Sequence, residues 1–326
     1  MKSIKVVIAA AAAATLCAVA PAALAQAASY PGKPIRIIVP FTPGSATDIM
    51  ARIVGEKLNT AWGQPIVVDN KPGAGGVIGM RETARADPDG YTLVVIAAGQ
   101  AVSHVLYKDL GYDTLKDFAG VAPLASLPSV LIVPPSPGVN TVQEFVAAAR
   151  AKPGEFNYAS AGVGSGSHIS VAKFNFAAGI KAVHVPLKGA PPILAETMAG
   201  RVQYAWAPVL TTMGVIKDGK VKALAVSTPK RIDALPNVPT IAEAGYPDGE
   251  STFWVAMLAP AKTPRDIVAK LNAEVNRALQ MPETKERLAK LGTEPMSMTP
   301  EQFDRFFASE YRELGDVMVK AGAKPQ

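Results

Sequence analysis

Short apolar runs alternate along the chain with longer segments in which apolar residues recur every three or four positions. Runs rich in valine and isoleucine are typical of buried strands, whereas the longer segments are typical of amphipathic helices. The predicted strands are residues 35–39, 66–68, 92–97, 156–160, 182–185, 204–206 and 223–227. The predicted helices are one that follows the first strand and ends near residue 59, one that begins after residue 76, and residues 101–107, 142–151, 167–178, 191–199, 264–280, 283–290 and 300–321. This alternation predicts parallel sheets whose strands are connected by helices.

Two longer apolar runs differ from this pattern. Residues 121–133 form a nearly uncharged run that contains Pro123 and Pro128, and residues 252–258 form a second run. A self-contained alternation of strands and helices lies between them. We therefore expect an α/β protein of two lobes that are joined by two crossover strands and enclose a hinged cleft. The predicted domains are residues 26–127 together with 254–326, and residues 128–253.

The first 25 residues have the pattern of a cleavable secretory signal peptide. Lys2 and Lys5 precede an apolar run, and Ala23-Leu24-Ala25 fits the small-residue cleavage pattern. The run is too short for a comfortable membrane span, so we expect export to the periplasm without membrane insertion. Cleavage after Ala25 leaves 301 of the 326 residues and removes two lysines, so the formal net charge falls from +6 to +4.

The mature chain offers few reactive side chains. The only cysteine of the 326 residues, Cys17, lies in the leader, so the mature chain has none, which excludes disulfides, thiolate metal sites and a cysteine nucleophile. His104, His168 and His184 are far apart in sequence and lack metal-ligand spacing. No basic run interleaved with aromatic residues indicates a nucleic-acid surface. We therefore expect no cofactor, no metal and no nucleic-acid partner.

The segment from Pro40 to Asp48 connects the first predicted strand to a helix. Gly44 permits a tight turn, and Thr47 and Asp48 are candidates to cap the helix. Such a turn leaves backbone N–H groups pointing out of a helix N-terminus, where they can bind an anion without a basic side chain. The pattern predicts one half of a carboxylate site; the alternative is an ordinary connection between a strand and a helix.

Residues 158–168 have a similar pattern in the second predicted lobe. The glycines of this segment allow a ligand to approach the backbone closely, and Ser165 and Ser167 add hydroxyl donors beside a helix N-terminus. Two donor-rich helix starts across one cleft suit a small anion. Trp206 ends a strand in the same lobe, where its side chain either lines the cleft or belongs to the core.

Nucleotide and hydrolase motifs do not fit these segments. Neither of the two glycine-rich stretches, residues 70–79 and residues 158–168, has the spacing of the dinucleotide fingerprint or the ending of a phosphate-binding loop. The serine loop does not contain the GxSxG nucleophile elbow. An exported hydrolase that uses Ser165 or Ser167 with a histidine is kept as an alternative.

Taken together and in order, these segments resemble the Bug family, the extracytoplasmic solute receptors of tripartite tricarboxylate transporters. The resemblance covers nearly the whole mature chain. It rests on Tyr30-Pro31, Val39-Pro40-Phe41, Asn70-Lys71-Pro72-Gly73-Ala74-Gly75-Gly76, Asp89-Gly90-Tyr91-Thr92-Leu93, Gly164-Ser165 with His168, His184-Val185-Pro186, Lys222-Ala223-Leu224-Ala225-Val226, Leu235-Pro236-Asn237-Val238-Pro239-Thr240 and Ala259-Pro260. It implies a periplasmic binding protein of the type II topology that closes on a carboxylate and delivers it to a membrane permease.

The resemblance also implies which residues contact the ligand. In such relatives the ligand is held largely by backbone amides, hydroxyls and waters from the loop after the first strand and from the glycine and serine loop of the second lobe. Carried over by position, and with Trp206 added from the strand pattern, the predicted contacts are Phe41, Thr42, Pro43, Ser45, Ala46, Thr47, Asp48, Ala161, Gly164, Ser165, His168 and Trp206.

Departures from the family pattern bear on the ligand. Many relatives have a tyrosine where this chain has Leu187 and an aspartate where it has Ala207. The missing carboxylate would be the natural partner of a ligand amine, so an amino acid is disfavoured. Because Phe41 and Trp206 add apolar surface, we expect an aromatic or otherwise apolar mono- or dicarboxylate rather than citrate. We expect a monomer that serves permease subunits, and a ligand-sensing accessory to a signalling system is the alternative.

Overall fold

The computed structural model describes residues 30–136, 138–251, 253–320 and 325. The predicted signal peptide lies outside the described residues. From Lys33 onward the chain forms one compact unit built on two β-sheets. Within the described residues, none of the helices combines the length and apolar character needed to cross a membrane.

Strands and helices alternate along most of the described chain. The strands are β1 (Ile35–Val39), β2 (Ile66–Asn70), β3 (Thr92–Ala97), β4 (Phe118–Leu127), β5 (Ser129–Val133), β6 (Asn157–Ser160), β7 (Val183–Pro186), β8 (Tyr204–Pro208), β9 (Lys222–Val226), β10 (Phe253–Pro260) and β11 (Glu294–Pro295). The helices are α1 (Ala46–Trp62), α2 (Val77–Ala84), α3 (Ser103–Leu106), α4 (Val142–Ala151), α5 (Gly166–Ala177), α6 (Ala190–Met198), α7 (Val209–Lys217), α8 (Arg265–Gln280), α9 (Pro282–Lys290) and α10 (Pro300–Lys320). Short 3-10 turns lie at Ala74–Gly76, Ala98–Val102 and Pro247–Gly249.

Each sheet forms the centre of one lobe. The sheet of lobe 1 has the order β11-β4-β10-β3-β1-β2, and the sheet of lobe 2 has the order β7-β6-β8-β5-β9. In lobe 1, β1 pairs in parallel with β2 and β3, while β10 is antiparallel to β3 and β4. In lobe 2, β6 is parallel to β7 and β8, and β5 is antiparallel to β8 and β9. The two-lobed α/β fold expected from the sequence is confirmed, although both sheets are mixed rather than purely parallel.

The antiparallel pairs arise because the chain passes between the lobes twice. The apolar run at residues 121–133 divides into β4 and β5 at Pro128, which has no N–H group to continue a strand ladder. The second passage leads from β9 to β10. Serines join the two passages, since Ser129 N donates to the Ser227 hydroxyl at 3.1 Å and Ser251 N donates to Ser227 O at 3.1 Å. The exact domain limits, 127/128 and 253/254, stay a prediction.

A fully buried tryptophan lies in the core of each lobe. In lobe 1, Trp254 packs edge-on against Phe303 and Phe307, and its indole N–H donates to the Glu310 carboxylate at 2.7 Å. Burial raises the pKa of Glu310, and this hydrogen bond offsets part of the rise. In lobe 2, Trp206 packs against Phe174, and its indole N–H has no hydrogen-bond partner within the described structure. The two tryptophans therefore differ in one polar contact.

Because of that difference, we expect replacement by phenylalanine to reduce stability more at Trp254 than at Trp206. Trp254→Phe leaves the half-buried Glu310 without the indole donor, whereas Trp206→Phe removes no hydrogen bond. We expect Trp254→Phe to lower the free energy of unfolding by about 1–3 kcal/mol more than Trp206→Phe. Chemical denaturation followed by circular dichroism measures both losses, and equal losses would contradict the contribution assigned to the Glu310 contact.

Candidate ligand-binding site

The turn that precedes α1 is held closed by its own side chains. Ser45 is the N-cap of α1, and its hydroxyl accepts a hydrogen bond from Asp48 N at 3.4 Å. The Asp48 carboxylate accepts from Gly44 N at 2.9 Å. Gly44 has a φ of +78°, which only glycine adopts without strain. The first N–H groups of α1, which have no partner inside the helix, therefore point away from its N-terminus.

The turn that precedes α5 in lobe 2 has the same construction. Ser165 is the N-cap, and its hydroxyl accepts from His168 N at 3.3 Å. The imidazole Nδ1 of His168 accepts from Gly164 N at 3.1 Å, and Gly164 also has a φ of +78°. A histidine thus occupies in lobe 2 the structural position that an aspartate occupies in lobe 1.

Paired hydroxyls are a further feature that the two turns share. The oxygens of Ser45 and Thr47 are 3.1 Å apart, and those of Ser165 and Ser167 are also 3.1 Å apart. All four residues are buried. One hydroxyl proton of each pair joins the two oxygens, so each pair keeps one O–H group that can donate to a ligand. Together with the N–H groups of the first helical turn, each loop offers a cluster of donors.

Both donor clusters line one cavity between the lobes. The space between its atoms measures about 400 Å³ when the part open to solvent is included, and the centre of a water-sized molecule can occupy about 30 Å³ of it in this closed form. Phe41, Ile193, Pro208 and Phe253 give it apolar walls, and no charged side chain lines it within the described structure. The described residues also contain no group of three or more His, Cys, Asp or Glu side chains suited to a metal ion. The cavity therefore suits a small anion with an apolar part.

The lobes touch beside this cavity where a glycine has no side chain. A Cβ atom on Gly99 of lobe 1 would overlap with the carbonyl oxygen of Gly164 and would lie 2.8 Å from the Cα atom of Ser165. A Cβ atom on Gly75 would overlap with the carbonyl oxygen of Val163. The backbones of the two lobes are thus in direct contact, and the structure is a closed form.

Hydrogen bonds also cross the cleft in this closed form. The Tyr107 hydroxyl of lobe 1 donates to Val163 O at 3.0 Å, and Thr42 N donates to Lys188 O at 3.1 Å. Both end on backbone carbonyls of lobe 2, so they fix the closed geometry without requiring a particular side chain in that lobe.

The electrostatic environments of the two turns differ. Burial alone would raise the pKa of Asp48, but hydrogen bonds from Arg52, the Gly44 amide and Asn70 outweigh it and hold that pKa below its ordinary value. Burial lowers the pKa of His168 to about 4, and burial together with the nearby His168 lowers that of His184 to about 4. Asp48 is therefore charged near neutral pH, while both histidines are neutral.

The two histidines belong to one stack of rings. The imidazoles of His168 and His184 have centroids 4.3 Å apart and are inclined by 4°, and Tyr158 stacks on His184 at 4.8 Å. The Nε2 atom of His184 is hydrogen-bonded to the Ser160 hydroxyl, which also accepts from Gly162 N at 3.1 Å. The stack thus supports the loop that carries Ser165.

The structure places half of the predicted contacts at the cavity. Those that line it are Phe41, Ser45, Ala46, Thr47, Ala161 and Ser165. The others lie outside the lining: Thr42 is at a contact between the lobes, Pro43 is exposed, Asp48, Gly164 and His168 close the two turns, and Trp206 is in the core of lobe 2. The expected caps also differ, because Ser45 rather than Thr47 or Asp48 caps α1.

Several lining residues were not predicted at all, namely Ala97, Gly189, Ala190, Ile193, Pro208 and Phe253. Gly166 and Ser167 also line the cavity; they belong to the predicted second loop, in which Ser167 was expected to add a hydroxyl donor, although neither was among the contacts carried over from the family. Most of these residues lie at the end of a strand or at the start of a helix, where an α/β lobe places its ligand-binding loops. That rule could have indicated Ala97, Pro208 and Gly189. Phe253 comes from the passage between the lobes, and no sequence motif marks it.

The sequence of this chain is similar to those of known receptors and of related proteins. The family model described as "Tripartite tricarboxylate transporter family receptor" matches residues 50–323. A UPF0065 protein from the tcbD-tcbE intergenic region of Pseudomonas sp. strain P51 is 38% identical over 90% of this chain and 87% of its own length. Protein BugT of Bordetella pertussis is 35% identical over 93% of this chain and 94% of its own length.

Solved structures show the same similarity. The periplasmic binding protein BugD is 32% identical, with a TM-score of 0.87 over 91% of this chain and 100% of its own. Rpa4515 of R. palustris, solved with adipate, is 33% identical, with a TM-score of 0.88 over 91% of this chain and 100% of its own. MatC of Rhodopseudomonas palustris, solved with bound malate, is 33% identical, with a TM-score of 0.84 over 88% of this chain and 99% of its own.

The depressed histidine pKa values predict a loss of stability in mild acid. Between about pH 6.5 and pH 4 the unfolded histidines bind protons while folded His168 and His184 remain neutral. The unfolded state then binds more protons, so the free energy of unfolding should fall as the pH drops through this range. Urea denaturation at pH 7.5, 5.5 and 4.5 measures the slope.

A double variant isolates the histidine contribution. His168→Asn with His184→Gln retains a polar atom near each hydrogen-bonding nitrogen but does not titrate, so its slope between pH 6.5 and 4 should be smaller. Asp48 makes its main contribution to acid instability at lower pH, below its ordinary pKa of 3.8. If the free energy of unfolding falls with pH at the same slope in the original chain and in the variant, the two histidines do not titrate as expected.

Proposed function

The chain belongs to the family of tripartite tricarboxylate transporter receptors, and from this premise we propose that it captures a small organic carboxylate between its lobes and delivers it to the permease of such a transporter. Receptors of this family are periplasmic solute-binding proteins and not enzymes. The serine hydrolase alternative is therefore set aside. We further propose that residues 1–25 direct export of the chain to the periplasm and are removed by cleavage after Ala25. The mature protein then acts there as a monomer.

The pair of serine-capped turns carries the proposal. Each helix N-terminus has roughly half a positive elementary charge from the aligned peptide dipoles, so α1 and α5 together can balance about one carboxylate. The N–H groups and the free hydroxyl protons at these N-termini supply hydrogen bonds to its oxygens. A ligand that contacts both turns favours the closed form over an open one, and the permease can distinguish these two states.

The rest of the cavity favours a ligand with an apolar body. Helix α6 also begins at the cavity, but Pro191 and Pro192 at its start have no N–H groups, and the lining residues Ala190 and Ile193 have no hydroxyls. With Phe41 and Phe253, this side of the cavity offers apolar contact instead of donors. We therefore propose an aliphatic or aromatic mono- or dicarboxylate, and the adipate of Rpa4515 is a molecule of this kind.

Calorimetry on the leaderless protein tests the proposal. The panel consists of hexanoate, adipate, malate, benzoate and citrate, and hexanoate and adipate differ only in the second carboxylate. We expect binding of at least one member with an apolar body and weaker binding of citrate. Ser165→Ala should weaken that binding by about 0.5–3 kcal/mol, because it removes a donor and rearranges the hydroxyl pair.

Thr141→Ala is the matched control for Ser165→Ala. The Thr141 hydroxyl caps α4 by accepting from Glu144 N at 3.1 Å, and Thr141 does not line the cavity. Both substitutions remove a cap and should lower stability by about 1 kcal/mol. Equal affinities in the two variants would contradict a ligand role for Ser165, and no binding across the panel would contradict the proposed function. Uptake of labelled ligand in a deletion strain distinguishes transport from sensing.

Closure is tested by adding a methyl group at the contact between the lobes. Gly99 has an ordinary backbone conformation, so the strain that Gly99→Ala adds to this closed form comes from its Cβ atom, which meets the Gly164 turn. We expect at least a tenfold loss of carboxylate affinity, since about 1.4 kcal/mol against closure is enough for that factor. In small-angle scattering with the ligand present, the Gly99→Ala variant should have a larger radius of gyration than the original chain.

Gly214→Ala provides the control for this experiment. Gly214 lies on α7 and also has an ordinary backbone conformation, and a Cβ atom added to it would meet no atom beyond its own helix within 4 Å. This substitution should leave both the affinity and the radius of gyration unchanged. If Gly99→Ala behaves in the same way, closure at this contact does not contribute to binding.

A further inference from the structure

Asp48 and His168 occupy equivalent positions in the two ligand-facing turns. Each is the third residue of its helix, and each accepts a hydrogen bond from the glycine that precedes the N-cap. These glycines, Gly44 and Gly164, share a φ of +78°. Gly164 is buried, so without an acceptor on residue 168 its N–H group would be left unsatisfied and the turn would be free to rearrange.

The two acceptors differ in charge, and so do the groups around them: the charged Asp48 has a charged partner, whereas the neutral His168 is packed against neutral rings. The Asp48 carboxylate has a cationic partner, since Arg52 lies 3.0 Å away, and it accepts a further hydrogen bond from Asn70 at 3.0 Å. The rings packed against His168 are Tyr158 on β6 and His184 on β7. Neither ring is charged near neutral pH. A phenol carries no positive charge, and burial raises the pKa of Tyr158 to about 12, so it stays neutral, while burial lowers the pKa of His184 to about 4, so its imidazole is not protonated.

A carboxylate at position 168 would therefore bring an unbalanced negative charge close to the N-terminus of α5. A neutral imidazole provides the same acceptor without that charge. Its Nδ1 atom accepts from Gly164 N, so the ring proton must be on Nε2.

We propose that His168 is a positioning residue of the carboxylate site, which holds the Gly164 turn through Nδ1 while adding no negative charge beside the bound anion. In this role His168 does not contact the ligand, in contrast to the expectation from family resemblance. The inference rests on the proposed function, because it assumes that the anion binds at the N-terminus of α5.

Two substitutions separate positioning from direct contact. The Oδ1 atom of an asparagine can occupy the place of Nδ1, whereas the terminal amide of a glutamine reaches the place of Nε2. We expect His168→Gln to lose at least tenfold in affinity for the panel carboxylate that binds the original chain best, and His168→Asn to restore affinity to within about threefold. The opposite order would show that Nε2 contacts the ligand and would overturn the inference.

A third substitution tests the role of charge. His168→Asp supplies an acceptor but adds a carboxylate with no cationic partner, so its affinity should be at least fivefold below that of His168→Asn at low salt. The gap should narrow as the salt concentration rises, because screening weakens the repulsion. Equal affinities of the two variants at all salt concentrations would contradict the charge argument.

Nuclear magnetic resonance tests the turn without any ligand. The ¹⁵N shifts of the His168 imidazole should identify the form with the proton on Nε2, and the Gly164 amide should exchange more slowly in the original chain and in His168→Asn than in His168→Gln. A proton on Nδ1 would overturn the inference. If no carboxylate binds the original chain while these signals are as expected, the proposed function fails and the structural role of His168 stands.

Discussion

A buried anion needs compensating positive charge, and this cavity has no cationic side chain within the described structure to provide it. Only fixed dipoles and hydrogen-bond donors remain. They act on a ligand only if the backbone around them is rigid, and the two serine-capped turns supply that rigidity. The turns resemble each other in the cap, in the hydroxyl pair and in the glycine conformation, although they lie in different lobes.

This requirement also explains the glycines around the cleft. The N-terminus of α5 must approach lobe 1 closely enough for its N–H groups to share a cavity with those of α1. Gly99 and Gly166 permit that approach, because a Cβ atom on Gly99 would overlap with the Gly164 turn and one on Gly166 would overlap with the ring of Phe253. Phe253 lies at the start of β10, where the chain returns to lobe 1, so the passage between the lobes also forms part of the cavity wall.

Much of the fold could be predicted from the sequence because local patterns decide it. Apolar periodicity located most of the strands and helices. Pro123 and Pro128 both interrupt the long apolar run at residues 121–133, and the structure shows that the run divides at Pro128. The site was harder to predict. Hydroxyl and glycine residues next to a helix start identified both loops. The identities of Asp48 and His168, however, do not show whether these side chains contact a ligand or close a turn. Only the hydrogen bonds to Gly44 and Gly164 reveal the second role.

The sequence by itself determined the α/β class and the two donor-rich loops, since both depend on neighbours that are close along the chain, and two long apolar runs indicated the two lobes. Tertiary structure alone decided that both loops open into one cavity, that Trp206 belongs to a core, and that Phe253 and Ile193 line the site. Those facts depend on how segments more than a hundred residues apart pack together. Packing of this kind is set by the summed contacts of the whole chain, and no local pattern encodes it.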